Sequence, residues 1–300
     1  MRIGVDLGGT KIEALALGAN GEERGRIRVP TPRHEYTETL NTIAGLVQKL
    51  EKELGQRATV GVGIPGTIVR PSGLVKNANS TWLNGQPLER DLSAALGREV
   101  RCENDANCLA LSEATDGSGA GHRVVFAVIL GTGCGGGLAF EGHVHEGRHS
   151  VAGEWGHNSL PWPRVDEVPG PECYCGKSGC IETWISGTAL GKDYERNTGT
   201  SLSGKEVAEA ADRGDLQARA AIHRLEDRIA RGFASLVNVI DPDVIVIGGG
   251  LSILSGIYRN VPPLLERYGF GGGIHTPIVP AMHGDSSGVR GAAWLWPKES

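Results

Sequence analysis

A chain of 300 residues is long enough for two domains of ordinary size and a substantial buried core. The formal net charge of −5, with lysine and arginine dispersed rather than clustered, argues against a nucleic-acid partner. Six cysteines, three of them (Cys102, Cys108, Cys134) scattered singly, speak against a disulfide framework and for a reducing compartment. The longest apolar run, 124–130, is far too short to span a membrane, so the expectation is a soluble cytoplasmic protein with no membrane partner.

Short β-branched runs at 2–6, 11–17 and about 23–29 predict a meander of three strands. Leu40, Ile43, Leu46, Val47, Leu50 and Leu54 then recur at three- and four-residue spacing, the pattern of one buried helical face. A strand at 59–64, a turn-rich stretch, a short helix near 88–96, a strand at 100–103 and a helix from Asp105 complete the order β-β-β-α-β-α-β-α. A strand at 123–130 starts a second pass, again followed by a glycine turn and a hairpin. The turns "DLGGTK" and "LGTGCGGG" are alike enough to suggest two related α/β halves, with a boundary near Ser118. Leu225, Ile229, Phe233, Leu236, Val237 and Ile240 predict a long amphipathic helix leading into "DPDVIVIGGG", a buried strand that ends in glycines. The C-terminal "HGDSSGVRGAAWLW" reads as a turn followed by a helix. Such a fold would carry its ligand in the cleft between its domains.

Three glycine turns follow predicted strands. In "GVDLGGTK" the missing side chains of Gly8 and Gly9 allow backbone N–H groups to approach an anion, Thr10 adds a hydroxyl and Lys11 a charge. Asp6, at the strand end, could hold Mg²⁺ through water. The alternative is a plain hairpin turn. Gly131, Gly133 and Gly136 fit G-x-G-x-x-G, but that dinucleotide fingerprint must open a helix, and "GLAFEGHVHEG" reads as alternating strand. A two-sided phosphate clamp, one glycine turn per domain, explains both turns better, with the third, 248–250, beside the adenosine. In "ENDANCLA", Asn104 and Asp105 stand between a strand and a helix. They read either as helix caps or as a carboxylate that accepts the proton of a substrate hydroxyl during phosphoryl transfer.

Cys173, Cys175 and Cys180 form C-x-C-x₄-C, and His157 lies sixteen residues before Cys173. Three thiolates and an imidazole make the closed tetrahedral set of structural zinc; loop cysteines without a metal are the alternative. A redox pair would need C-x-x-C, which is absent. Glu154 precedes His157 by three residues and Glu182 follows Cys180 by two, so a metal joining these segments would fix both carboxylates near one point. Paired acceptors of this kind suit the vicinal hydroxyls of a sugar, and His157 could give one nitrogen to zinc and the other to the substrate.

"GVDLGGTK", "GIPGTI", "ENDANCLA", "LGTGCGGG", "GEWGHN", "CYCGKSGCIE" and "DPDVIVIGGG", in this order and spacing, resemble the ROK family of bacterial sugar kinases and repressors, from residue 4 to about residue 296. Within it, "KNANSTWLNG", "HNSLPW" and "HGDSSGVRGAAWLWP" look most like bacterial fructokinases of the manno(fructo)kinase type. The resemblance implies an actin-like, hexokinase-type (ribonuclease H-like) α/β fold. Its expected domains are 1–118, to which a C-terminal helix at about 284–300 returns, and a larger 119–283 that carries the zinc loop. It implies Asp105 as catalytic base, and Asn79, Asn104, Glu154, His157, Glu182 and the Gly66 region as sugar ligands. Gly4, Asp6, Gly8, Gly9, Thr10, Lys11, Thr132, Gly133, Gly249 and Gly250 would meet ATP and Mg²⁺; His157, Cys173, Cys175 and Cys180 would hold Zn²⁺. The expected activity is ATP-dependent phosphorylation of a hexose at its primary hydroxyl, D-fructose first with mannose as a further acceptor, by a homodimer. N-acetylglucosamine or glucose phosphorylation is the alternative enzyme reading, and a sugar-responsive repressor or sensor the non-enzymatic one. The first strand begins at residue 2, leaving no N-terminal stretch for a DNA-binding domain.

Overall fold

The computed structural model describes residues 1–297. In chain order its elements are β1 (Arg2–Leu7), β2 (Lys11–Leu17), β3 (Glu23–Pro30), α1 (Tyr36–Leu54), β4 (Thr59–Ile64), β5 (Thr67–Val69), β6 (Leu74–Lys76), α2 (Leu88–Leu96), β7 (Val100–Asn104), α3 (Asp105–Asp116), β8 (Val124–Leu130), β9 (Cys134–Phe140), β10 (His143–Val144), α4 (Glu182–Ile185), α5 (Gly187–Thr198), α6 (Gly204–Asp212), α7 (Leu216–Ile240), β11 (Val244–Gly248), α8 (Ser255–Tyr268), β12 (Ile278–Pro280) and α9 (Ser287–Trp294). They divide into unit 1, made of Met1–Gly121, Gly137–Ala152 and the chain from Asp285, and unit 2, made of His122–Gly136 and Gly153–Gly284. Residues 137–152 thus fall in unit 1, although a boundary near Ser118 would assign them to the second domain.

The sheet of unit 1 has the order β3-β2-β1-β4-β7. The tight turn after β1 returns β2 antiparallel to it, whereas the α1 crossover brings β4 in parallel to β1, and β7 is parallel to β4. One face of α1 buries Ile43, Leu46, Val47 and Leu50 in a core with Val5, Val60 and Val62. The helix stops at Gly55, whose φ of 64° is left-handed and whose N–H returns to the Glu51 carbonyl.

A second cluster joins Leu15 and Leu17 of the sheet to Leu111 of α3 and to Val289, Ala293 and Trp294 of α9. These elements meet backbone to backbone. A Cβ on Gly4 would overlap the Val289 carbonyl, and one on Gly291 the Cys108 carbonyl. Gly4, expected among the cofactor contacts, is therefore buried mid-strand beneath α9 and serves packing. The C-terminal helix is also shorter than expected. It ends at Trp294, and residues 298–300 lie outside the described part of the chain.

In unit 2, β11 lies parallel to both β8 and β12. All five residues of β11 are buried, which explains a continuous apolar run rather than an alternating one. The Asp215 carboxylate caps α7 by accepting the Ala218 N–H, and the helix buries Leu225, Ile229, Phe233 and Leu236 along one stripe. Helices α4, α5, α6 and α8 and strands β5, β6 and β12 were not foreseen from the sequence. In α8 the reason is plain: Pro262 and Pro263 sit inside it, where proline ordinarily ends a helix. Among the described residues no helix is long and apolar enough to cross a membrane.

Because Gly291 lies against backbone that has little room to withdraw, Gly291→Ala should cost about 3 kcal/mol and lower the melting temperature by roughly 5–10 °C. Thermal denaturation followed by circular dichroism checks this; an unchanged melting temperature would show that α9 can move aside.

Candidate functional site

The C-terminal ends of the parallel strands of unit 1 gather the first group of candidates. Asp6 stands opposite Gly63 on one side and Glu13 on the other, and Asn104 is paired with Ile64, so the sheet register alone brings Asp6, Asn104 and the chain leading to Gly66 to one edge. Asn104 is the helix cap that its sequence position suggested: its Oδ1 accepts the N–H groups of Ala106 (2.9 Å) and Asn107 (3.3 Å). Its amide also donates to the Gly66 carbonyl at 2.9 Å, tying the 66 turn to the start of α3. Asp105 opens the helix, with its Oδ1 accepting the Ala106 N–H at 2.8 Å. Asn79 is exposed beside the buried Ser80.

Carboxylates crowd this edge. Burial first, then Asp105 and Glu13, push the Asp6 carboxyl up to about 7, against the pull of Lys11. Glu103, which the sequence did not single out, accepts the Asn104 N–H at 2.7 Å and the Asn107 side-chain amide at 2.9 Å. Burial raises it to about 7 as well. A divalent cation near Asp6 would relieve this repulsion, so the donor chemistry fits Mg²⁺. The glycine turn is less open than expected: the Gly8 N–H is taken by the Lys11 carbonyl at 3.0 Å, while Thr31 and Arg33 donate to the Gly8 and Gly9 carbonyls at 2.7 and 3.0 Å. Gly9, Thr10 and Lys11 remain exposed.

In unit 2 a cavity of about 1360 Å³ lies beyond the ends of β8 and β11, lined by Gly131, Thr132, Gly187, Thr188 and Gly250 among others. This is the usual ligand position for parallel sheets. The turn after β8 is held open: Gly187 donates its N–H to the Gly131 carbonyl at 2.7 Å, and the Thr188 hydroxyl to the Thr132 carbonyl at 2.9 Å. Thr132 and Gly250, two of the expected nucleotide contacts, thus border one cavity, and Gly133 and Gly249 adjoin them in the chain.

Glu154 precedes and His157 closes a short 3-10 turn, Trp155–His157. Trp155 anchors it, packing edge-on to Phe126 of β8 and tilted against Phe233 of α7, while its indole N–H donates to the Gly135 carbonyl at 3.2 Å. Short bridges then pair Ser159 with Cys180 and Glu172 with Ser178, folding the cysteine segment back onto the histidine. Tetrahedral zinc, with sulfur at about 2.3 Å and nitrogen at about 2.0 Å, holds its ligand atoms about 3.5–3.8 Å apart. Cys173 Sγ lies 3.5 Å from His157 Nδ1, Cys175 Sγ lies 3.6 Å from Cys180 Sγ, and all four donor atoms are within 4.8 Å of one another. Burial and the neighbouring thiols push Cys180 up to about 12, a crowding that a cation relieves. The residues fit a closed zinc site.

Glu182 departs from the expected picture. Its Oε2 accepts the Cys134 N–H at 2.9 Å, directly over Gly133, where a Cβ would collide with that carboxylate. The end of the cysteine segment is thereby fastened to the glycine turn after β8. Further groups escaped the sequence reading because their partners are far apart in the chain. Glu167 forms buried ion pairs with Arg228 (2.7 Å) and Arg231 (2.8 Å), and Arg228 also pairs with Asp193 (2.8 Å). Burial opposes the charge on Glu167, yet the two arginines hold its carboxyl down to about 2. Tyr174, between two of the cysteines, sets its hydroxyl 2.9 Å from His157 Nε2.

Residues 2–299 match the model of the ROK family. An N-acetyl-D-glucosamine kinase of Vibrio atlanticus (strain LGP32) is 42% identical, covering 98% of this chain and 99% of its own. Another of Haemophilus influenzae (strain 86-028NP) is 39% identical over 99% of both. Among solved structures, a ROK hexokinase from Thermus thermophilus superposes with a TM-score of 0.86 at 32% identity, covering 97% of this chain and 96% of that one. A ROK family glucokinase from Streptomyces griseus, in complex with glucose and AMPPNP, gives 0.80 at 30% identity over 98% of both chains. The fold is the hexokinase-type, actin-like α/β fold, and with end-to-end matches in both sequence and structure the chain belongs to the ROK family.

Proposed function

We propose that this chain transfers the γ-phosphoryl group of ATP to the primary hydroxyl of N-acetyl-D-glucosamine. At the coarser level it is a ROK-family sugar kinase, since relatives of that kind match it over nearly its whole length. One observation carries the finer choice: the N-acetyl-D-glucosamine kinases named above are about 40% identical to it from end to end. The expectation of fructose, drawn from "KNANSTWLNG", "HNSLPW" and the C-terminal segment, gives way to the acceptor that the sequence kept as its alternative. Selectivity among hexoses turns on a few contacts of about 1–3 kcal/mol each, finer than such stretches resolve.

In this reading Asp105 takes the proton of the attacking hydroxyl. Asn104 caps the helix that Asp105 opens, and Glu103 holds the first turn through Asn107, so the base is fixed by its neighbours. Fixed geometry matters more than basicity, because phosphoryl transfer is catalysed chiefly by positioning and charge stabilisation. Asp6 would hold Mg²⁺, which when bound neutralises phosphate charge. Thr132 and Gly250 would border the nucleotide in the cavity of unit 2, and Lys11 would add a positive charge for phosphate. Glu154 and Glu182 would accept hydrogen bonds from sugar hydroxyls. Zinc on His157, Cys173, Cys175 and Cys180 would be structural, keeping those carboxylates in place.

The direct test is ADP release with Mg-ATP and, separately, N-acetyl-D-glucosamine, D-glucose, D-mannose and D-fructose. N-acetyl-D-glucosamine should lead in kcat/KM by about tenfold or more; a fructose lead would restore the first expectation, and no turnover with any sugar would remove the kinase reading. Asp105→Asn should lower kcat by about 100-fold or more, with the sugar still binding. Near-normal turnover would remove Asp105 from the role of base. Chelation, verified by metal analysis, should weaken sugar binding measured by calorimetry, and unchanged affinity after zinc loss would contradict a structural role for the metal at this site.

A further inference from the structure

Strand β7 lies at the edge of its sheet: in the order β3-β2-β1-β4-β7 it has β4 on one side and, among the described residues, no strand on the other. It runs straight into Asn104 and Asp105, so a shift of its open edge is also a shift of the base proposed above. Side chains stand where the next strand would. At Cys102 the Glu89 carboxylate of α2 accepts the N–H at 2.7 Å, and the Arg70 guanidinium donates to the carbonyl at 3.4 Å. An open edge needs such partners, because its outward N–H and C=O groups have no ladder to join.

Arg70 does more than close that edge. It directly follows β5, the strand that starts beside Gly66. Its Nη2 faces Oε2 of Glu103 at 3.8 Å, and the other oxygen of that carboxylate accepts the Asn104 N–H at 2.7 Å and the Asn107 side-chain amide at 2.9 Å. The Asn104 amide in turn donates to the Gly66 carbonyl at 2.9 Å. Residues 66–70 are thus tied at both ends to the junction of β7 and α3, where Asp105 stands. Further carboxylates aim the guanidinium: Glu146 accepts from Nε and Nη2 in a fork at 2.9 and 3.0 Å, and Glu89 faces Nη1 at 3.5 Å. A planar guanidinium can serve several carboxylates and a carbonyl in one fixed arrangement, which an ammonium on a flexible stem cannot match. The Arg70 side chain is 44% exposed, so its ion pairs add little to stability. What they supply is alignment.

We propose that Arg70 is a positioning residue for phosphoryl transfer: through Glu103 and the outer edge of β7 it fixes where Asp105 stands. The inference rests on the reading of Asp105 as the base. Without Arg70, Glu103 stays buried but loses its cation, and its hold on Asn104 and Asn107 slackens.

Steady-state kinetics of Arg70→Met, alone and combined with Asp105→Asn, test this with Mg-ATP and the sugar that wild type turns over fastest. Arg70→Met should lower kcat about tenfold, the scale of a small displacement of a catalytic group, with KM for Mg-ATP changed by less than about twofold. In the Asp105→Asn background no base is left to misplace, and the same substitution should change kcat by less than about twofold. Arg70→Lys keeps a charge beside Glu103 without the fork, and should lower kcat by about threefold. A merely structural arginine would reduce kcat by the same factor in both backgrounds, and that result overturns the proposal. So does a wild-type kcat in folded Arg70→Met or, should that variant not fold by circular dichroism, in Arg70→Lys. Should wild type turn over no sugar, or Asp105→Asn turn over normally, the reading of Asp105 falls and this inference with it; should Asp105→Asn be slow and Arg70→Met normal, this inference alone falls.

Discussion

The candidate site of unit 2 depends on a buried ionic anchor. Between β10 and α4 the chain runs through residues 145–181 with only short 3-10 turns and isolated bridges. A segment this long has no ladder to fix it, and loops of such length in compact domains are usually functional. Glu167 supplies the missing constraint. Its carboxylate meets Arg228 and Arg231 on α7, and Arg231, almost wholly buried, also donates to the Trp162 carbonyl at 2.9 Å. Asp193 of α5 shares Arg228, so two helices and the loop converge on one set of charges. Burying such charges is costly unless each is paired and hydrogen-bonded, and here each is. The result is a loop held by geometry that tolerates little displacement. Trp155 does the same at the other end through packing, between β8 and α7.

Given those two anchors, the cysteine segment can be small and still exact in placement. Its four donor atoms converge without regular structure, and Glu182 carries their position on to the Cys134 N–H beside Gly133. The carboxylate expected to face a sugar is thus also a strut between the cysteine segment and the glycine turn. A single carboxylate has enough lone pairs for both duties. The energetic logic in unit 1 is different. There the Asp6 carboxyl is pushed up to about 7, because burial, Asp105 and Glu13 disfavour its charge more than Lys11 favours it. The charges of the unit 2 anchor satisfy one another, whereas the Asp6 carboxyl of unit 1 is pushed up by burial and by like charge.

What the sequence disclosed depended on whether the signal was local. The periodic runs of α1, α7, β8 and β11 sit where their spacing put them, because burial of one stripe or of both faces is written in consecutive residues. The C-x-C-x₄-C pattern and its histidine are likewise compact in sequence, and they converge as that spacing implied. Local signals also misled. The prolines of α8 masked a helix, and Gly4, next to a glycine-rich turn, looked like a ligand contact although its missing side chain serves α9. Groups that act through distant partners left no trace at all. Glu167 meets arginines more than sixty residues away, and the Glu182 contact to Cys134 spans nearly fifty. Choice of sugar belongs to this second kind, which is why motifs compact in sequence point to the family more firmly than to one hexose.

The same distinction explains how one scaffold can serve several acceptors. The motif residues of this chain occupy sheet ends, caps and glycine turns, where backbone geometry allows few alternatives. Asn104 must cap α3 and still reach Gly66, and Gly187 must approach Gly131 closely enough to donate its N–H. Tyr174 is held less by packing. It lies exposed between two cysteines, its backbone set by the turn that joins the Cys173 N–H to the Lys177 carbonyl at 2.8 Å, and its side chain is placed by the His157 ring, through the 2.9 Å contact to Nε2 and an edge-to-face approach. A loop side chain held in this way can change at little cost to the core, whereas the caps and glycine turns cannot.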